Sequence, residues 1–336
     1  MTVTKSTDSG ISQRTNVFAE REMLKHAGPV TVLDKFGLSK RMPKNKSETV
    51  KFRRPKVFAE VTTPLVEGVT PSTTAFEYED VSVSLKQYGM VVGITDVIED
   101  THEDPVLKDA TVQAGENIGR TMEALTYGVL KAGTNVFYTA GSARNAVNEP
   151  ITLAKQRAVT RALKAQKAMK ITRMLSASPG YETRAIEASF VAVAHTDLEA
   201  DIRGLAGFTP VAEYGQRQPV CDEEIGSVED VRYILSPDLD SWADAGAAKA
   251  GGSITAVSTS GTAADVYPVL YFGKEAYGTV ALRGSGAVSP SIIPVGQKTK
   301  DDPLGQRGYV GWKTWFASVR LNENWMARLE CAVTDL

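Results

Sequence analysis

The sequence predicts a mixed α+β chain, and three observations carry that expectation. One long amphipathic helix is predicted over residues 105–132. Alternating, hairpin-like strands precede it. Short strands and helices are mixed after it, and a strongly alternating run closes the chain. The stretch from Lys86 to Thr134, a strand leading through an acidic turn into that helix, is the piece around which the rest is organised.

Taken in order, residues 1–16 are rich in Ser, Thr and Gly and predict a mobile tail. Phe18, Met23 and Leu24 mark a short helix over 17–27, which Gly28-Pro29 would stop. Residues 30–36 follow, and then a basic, proline-containing loop over 40–46. An opening this long without a compact core pattern suits an arm lying on something else, such as a neighbouring subunit.

Residues 48–58 alternate, with Val50 and Phe52 on one face and Lys51 and Arg53 on the other, as in a half-buried strand. Prolines, glycine and threonines fill 61–74, and a second alternating run covers 76–85. The two runs form a hairpin whose tip of roughly 15–20 residues is far longer than the usual hairpin loop. Long loops of this kind carry binding function. Parity then changes: Val81, Val83 and Leu85 are odd, whereas Tyr88, Met90, Val92 and Ile94 are even. Keeping the apolar side chains on one face requires a bulge or sharp bend near Lys86–Gln87.

In the long helix, Ile118, Met122, Leu125 and Val129 form a stripe at four-three-four spacing. Ala114, Gly115 and Gly119 leave room for another backbone to approach. Pro105 suits the first turn, the acidic residues before and within that turn suit the helix dipole, and Gly133 suits the C-cap. A loop is predicted over 134–150. A second helix is predicted over 152–175, carrying Lys155, Arg157, Arg161, Lys164, Lys167, Lys170 and Arg173 with no acidic residue among them. Strands are expected at 190–195, 211–220, 229–235 and 267–272, a short helix at 196–203, and irregular chain at 243–260 and 287–308. The closing run, Trp315 to Leu321 and Trp325 to Val333, reads as two strands joined by the turn Asn322-Glu323-Asn324. The 88–98 strand is the natural partner for this end of the chain, and the four tryptophans are expected in the core.

Composition narrows function by exclusion. The 336 residues suffice for one complex domain or two ordinary ones. Lys and Arg number 38 against 40 Asp and Glu, a formal charge of −2, which lacks the strongly basic footprint of a dedicated nucleic-acid binder. The two cysteines, Cys221 and Cys331, make neither a disulfide framework nor a zinc pattern and are expected as reduced thiols. The start has no apolar signal-peptide core, and no apolar run approaches the roughly 20 residues of a membrane span, so a soluble chain is expected.

The search for chemistry finds no catalytic, metal or cofactor constellation. His26, His102 and His195 form no metal-type pair. His102 lies among Glu99, Asp100, Glu103 and Asp104, where a helix-capping acidic turn explains it better than an ion site, because the ligand rhythm of a calcium loop is missing. His195 near Asp197 has no nucleophile motif beside it. Arg283-Gly-Ser-Gly286 lacks the lysine of a phosphate loop and reads as a turn. The basic helix is read first as solvated. Its alternative is a face turned to a polyanion through phosphate contacts that read no sequence.

Four segments together resemble a known family: Lys51-Phe-Arg-Arg54, Thr63-Pro-Leu-Val-Glu-Gly-Val-Thr-Pro71, Gln87-Tyr-Gly89 and Thr95-Asp-Val-Ile-Glu-Asp-Thr-His-Glu-Asp-Pro105. They look like the major capsid proteins of tailed double-stranded DNA bacteriophages, and more narrowly the branch resembling the coliphage N-four major capsid protein. The stretch Tyr127–Phe137 and the ending Trp312–Val333 fit the same pattern, and the resemblance spans about residues 12–333.

The resemblance implies the Hong Kong 97-type capsid fold. It would place an N-terminal arm at 1–47 and an extended hairpin at 48–86. A peripheral domain would take 87–149 and 306–336, with a spine helix at 105–132, and an axial domain would take 150–305. It further implies a structural protein, not an enzyme and without cofactor or metal. Such a protein self-assembles into hexamers and pentamers of an icosahedral shell around packaged double-stranded DNA. Expected partners are further copies of the chain, a portal, a separate scaffolding protein and a decoration protein, with no membrane. The scaffolding is expected to be separate because recognisable pattern begins by Ser12, leaving no room for a fused scaffolding region. The protein would be assembled in the host cytoplasm and reside in the virion. Candidate intersubunit contacts are Arg53, Arg54, Pro64, Glu67 and Pro71, and a candidate genome-facing patch is Arg157, Arg161 and Lys164. The rival readings are an encapsulin-type compartment shell and a soluble hydrolase using His195 and Asp197.

Overall fold

A computed structural model of the chain describes residues 31–43, 45, 47–97, 106–175, 183–215, 217–282, 288–298 and 302–336. The expected tail and helix within 1–30, the acidic turn with His102, and the glycine turn at 283–286 lie outside the described residues.

The hairpin expected from alternation is present. Strand β1 (Leu38–Met42) leads into β2 (Thr49–Pro55), which pairs antiparallel with β3 (Tyr78–Ser84) as an isolated two-stranded ribbon. The chain then breaks at one residue, Leu85, and continues as β4 (Lys86–Thr95) in a different sheet. The parity change therefore marks a real event. The inward side chains are odd-numbered in β3 and even-numbered in β4, while Leu85 itself is buried at the junction and its N–H donates to the Glu48 carbonyl at 2.9 Å.

Helix α1 (Val106–Lys131) follows. Its 26 residues span about 39 Å at 1.5 Å per residue. Two sheets flank it. The first joins β1, β4, β12 (Tyr277–Leu282), β13 (Val288–Ile293) and the long β14 (Arg307–Arg320). The second has eight strands, from β5 (Val136–Tyr138) through β15 (Met326–Cys331), β11 (Tyr267–Phe272), β7 (Thr183–Ala194), β10 (Val231–Leu235) and β9 (Glu224–Val228) to β8 (Phe208–Pro210), with β6 (Ile171–Leu175) also on β7.

The helix is a spine because its two halves serve different cores. Ala114 and Ile118 pack with Ile94, Val310 and Trp312 of the first sheet. Tyr127 and Leu130 pack with Val191, Val193, Ile234, Leu270 and Phe272 of the second. The opposite face of the second sheet packs against helix α2 (Leu153–Ala165) through Val159 and Leu163, beside Phe190, Tyr233 and Tyr271. Both faces of the central strands are thus covered, which is why β10 and β11 are continuously apolar apart from Arg232. The expected stripe is only half inward: Ile118 is buried, but Leu125 and Val129 line a shallow groove against Val319 and Arg320.

Several expectations are corrected. The basic segment at 40–46 is not all loop, since Leu38–Met42 pairs in parallel with Gly278–Leu282. Likewise Val136–Tyr138, expected as loop, pairs in parallel with Arg328–Glu330. Short strands bonded to partners some 190 to 240 residues away leave no local pattern to read. The second helix stops at Ala165 rather than Leu175. Lys167 turns to φ 55°, Ala168 N–H bonds back to the Leu163 carbonyl, and the next residues become β6, paired with β7. The expected strand at 211–220 begins instead as a single tight turn, Val211–Glu213, after the short β8. Part of the irregular 287–308 stretch is β13, whose Pro290 is tolerated because only one edge of the strand is paired.

The closing strands are not a hairpin. β14 belongs to the first sheet and β15 to the second, with Glu323–Trp325 carrying the chain between them. The expected partnership of the end with the 88–98 strand holds for β14, which pairs antiparallel with β4 from Arg307↔Thr95 to Phe316↔Lys86. Among the tryptophans only Trp312 is buried, and Trp242, Trp315 and Trp325 are half-buried.

Candidate assembly surface

The hairpin is the feature that a lone subunit cannot explain. Beyond the paired strands, residues 56–77 are all exposed. They include Val57, Phe58, Val61, Leu65, Val66, Val69 and Phe76, with Val57 96% and Leu65 76% accessible. Exposed large apolar side chains are thus concentrated in one loop, and exposed apolar patches are where interaction sites lie. The tip turns at Val66–Val69, where Val69 N–H bonds to the Val66 carbonyl at 3.2 Å and Gly68 sits at φ 77°. A positive φ at the third turn position is what a type II turn requires, so glycine there serves the conformation.

The stem holds this tip away from the body. Directly opposed residues pair by charge: Arg53 Nε and Nη2 reach Asp80 at 2.7 and 3.0 Å, Arg54 Nε reaches Glu79 at 2.8 Å, and Lys56 Nζ reaches Glu77 at 2.7 Å. Arg53 also lies over the Tyr78 ring, and Phe76 packs edge-on against Tyr78. At the root, Phe52, Leu85 and Met42 are buried with Val280 and Ala317 of the first sheet. Of the candidate contact residues, Pro64, Glu67 and Pro71 are therefore at the exposed tip, whereas Arg53 and Arg54 spend their charge inside the stem.

Cations on α2 are answered in the same way. Arg157 pairs with Glu229 and Lys164 with Asp230, both in the β9–β10 turn, and Lys155 Nζ bonds to the Tyr138 carbonyl at 2.8 Å. The Lys164 and Lys170 ammonium groups hold the Asp230 carboxyl below its usual range. Arg161, exposed on the same helix, lines a groove with Phe137, Gln166 and Glu323. The structure thus does not bring Arg157, Arg161 and Lys164 together as one free basic patch.

His195 has a structural role. Its Nδ1 accepts the Asp197 N–H at 3.1 Å, and Asp197 accepts the Tyr267 hydroxyl at 2.8 Å. Among the described residues no group of His, Cys, Asp and Glu could hold a metal ion. Burial pushes the thiols of Cys221 and Cys331 upward, Cys221 to about 12, so neither is poised as a thiolate.

Two polar clusters carry no sequence motif. Glu330, fully buried, takes bidentate bonds from Arg144 at 2.8 and 2.9 Å and another from Arg328 at 2.9 Å. Arg328 also reaches the Lys131 and Gly133 carbonyls, tying the C-terminal end of α1 to the second sheet. The other cluster centres on Glu123, at 1% accessibility, which accepts the Val32 and Leu33 N–H groups. Its spacing to Tyr127 and Leu130 could have flagged it as inward-facing.

Residues 78–328 match a family model described as phage capsid protein. The chain belongs to that family. No curated protein sequence matches it. Its fold is that of the Ralstonia phage GP4 capsid, with a TM-score of 0.64 at 13% identity over 91% of this chain and 92% of that one. The capsid structure of cyanophage P-SCSP1u gives 0.58 at 13% identity, covering 91% and 89%. Cyanophage Pam1 gives 0.57 at 16% identity, covering 86% of each. The fold is thus the Hong Kong 97-type capsid fold expected from the resemblance, and the protein is a structural major capsid protein.

Proposed function

We propose that this capsid protein forms six- and five-membered rings of an icosahedral shell around double-stranded DNA, with the hairpin as its principal contact with a neighbouring copy. The exposed apolar tip, held out by a stem whose charges are already paired, carries this reading. Such a tip gains burial only against another surface, and a patch on one copy meeting a different patch on the next gives the heterologous contacts that close into rings. Pro64, Glu67 and Pro71 lie in the contact, whereas Arg53 and Arg54 keep the stem straight.

The subunit divides into an arm (1–47), the hairpin (48–86), a peripheral part (87–149 and 306–336) and an axial part (150–305). Strand pairing favours giving β12 and β13 to the peripheral part, because these strands bond to Arg307–Arg320. The shell reading brings a portal, a scaffolding protein and a decoration protein as partners. The subunit has no catalytic role, is assembled in the host cytoplasm and is carried in the virion. Contact of α2 with DNA falls chiefly to Arg161, since Arg157 and Lys164 have acidic partners.

Deleting residues 64–74 tests the core of this reading. The deleted segment makes no buried contact, so the subunit should remain folded and soluble yet form no shells in electron micrographs. Shells of normal size from the deletion protein would refute it.

A further inference from the structure

Glu123 is a carboxylate in the C-terminal half of α1, buried among apolar side chains, and its bonds reach 90 residues back along the chain. Leu33–Lys35 is a single tight turn, and the residue before it, Val32, has no side-chain acceptor to offer. The first N–H groups of such a turn have no partner within it. Glu123 supplies one: its oxygens lie 3.2 Å from Val32 N, and 3.0 and 3.1 Å from Leu33 N. The same segment is held by Tyr277, whose hydroxyl donates to the Leu33 carbonyl, by Thr279 to Asp34 at 3.0 Å, and by Lys35 to Glu223 at 2.9 Å. Val32 and Leu33 in turn cover Glu123 and share its apolar surroundings with Tyr127, Leu130 and Leu239.

We propose that Glu123 is the docking site of the N-terminal segment on the spine helix and makes that docking proton-dependent, tighter in acid and looser in base. This goes beyond the shell reading and does not depend on it, because the contact is within one chain. The groups acting on the carboxyl are Asp34 on the docked segment, Asp238 on the chain after β10, and Tyr277 on β12. None is a cation. Burial pushes the Glu123 carboxyl up to about 7, and the two N–H bonds oppose that rise without cancelling it.

When the segment lifts, water reaches the carboxyl and its pKa returns toward the ordinary value of 4.5. The docked state therefore holds the proton more tightly. Docking is strongest below about 4.5 and weakens as pH rises through about 7. Between pH 8 and pH 5 the docking equilibrium should strengthen by roughly 70-fold.

The test is hydrogen-exchange protection of the Val32 and Leu33 amides in the full-length protein at pH 5 and pH 8, corrected for intrinsic exchange. Wild type should show roughly 70-fold more protection at pH 5. Glu123→Gln, which keeps an acceptor but cannot titrate, should show none of that difference. Equal wild-type protection at both pH values, or the same pH ratio in Glu123→Gln, would overturn the proposal. Tyr277→Phe gives a check that does not depend on Glu123→Gln folding. It should lower protection at both pH values and leave the ratio unchanged, and loss of the ratio there would also count against Glu123.

Discussion

The hairpin tip offers a perturbation whose effects on folding and on assembly should separate cleanly. Leu65 is 76% accessible and Val66 67% in the subunit, so replacing both by serine removes almost nothing from its core. Surface substitutions of this kind usually change stability by about 0.5 kcal/mol or less each. In an interface the same side chains become buried. Full burial of a leucine contributes roughly 1.5–3 kcal/mol, so the accessible three-quarters of Leu65 should contribute about 1–2 kcal/mol per contact. At 1.4 kcal/mol per tenfold, that weakens each contact by about 5- to 30-fold from Leu65 alone. The assay is light scattering against protein concentration, with thermal unfolding of the unassembled subunit as control. The expected result is an unchanged Tm and a higher concentration threshold for shells. An unchanged threshold, or a Tm lowered as far as a core substitution would lower it, would show that the tip is not a contact surface.

Two further predictions follow from buried groups. Phe52→Ala empties the hairpin root beside Met42, Leu85 and Val280 and should cost about 3–5 kcal/mol locally. Exchange should accelerate in Thr49–Pro55 and Tyr78–Ser84 while Val231–Leu235 stays protected, so uniform loss of protection would contradict a separable root. Glu330→Ala strands the Arg144 and Arg328 guanidinium groups around a site buried beside Trp242. Removing one partner from a buried ion pair costs on the order of 3–5 kcal/mol, read as a lowered denaturant midpoint, and an unchanged midpoint would mean that the network carries no stability.

The hydrophobic pattern was informative wherever an element is long and its neighbours act on it uniformly. Helix α1, the strands β2, β3 and β4, and the break at Leu85 all follow from periodicity, because a one-residue shift in a strand exchanges its two faces. It failed where a partner lies far along the chain. Leu38–Met42 and Val136–Tyr138 are strands only because Gly278–Leu282 and Arg328–Glu330 present edges to them. The basic helix ends at Ala165, short of the expected Leu175, because an unbroken series of lysines and arginines conceals the point at which the apolar spacing stops. The acidic partners of Arg157 and Lys164, Glu229 and Asp230, are supplied by a distant turn.

By itself the sequence determined the α+β class, the hairpin with its unusually long tip, the spine helix and the capsid resemblance. Each of these is written in local spacing or in contiguous motifs. Tertiary structure alone decided that Arg53 and Arg54 brace the stem, that β14 and β15 divide between two sheets, and that Glu123 holds the chain at Val32–Leu33. These facts depend on which side chains and edges meet across large separations in sequence, and ion pairing, strand pairing and burial of a carboxylate leave no period in the residues that take part.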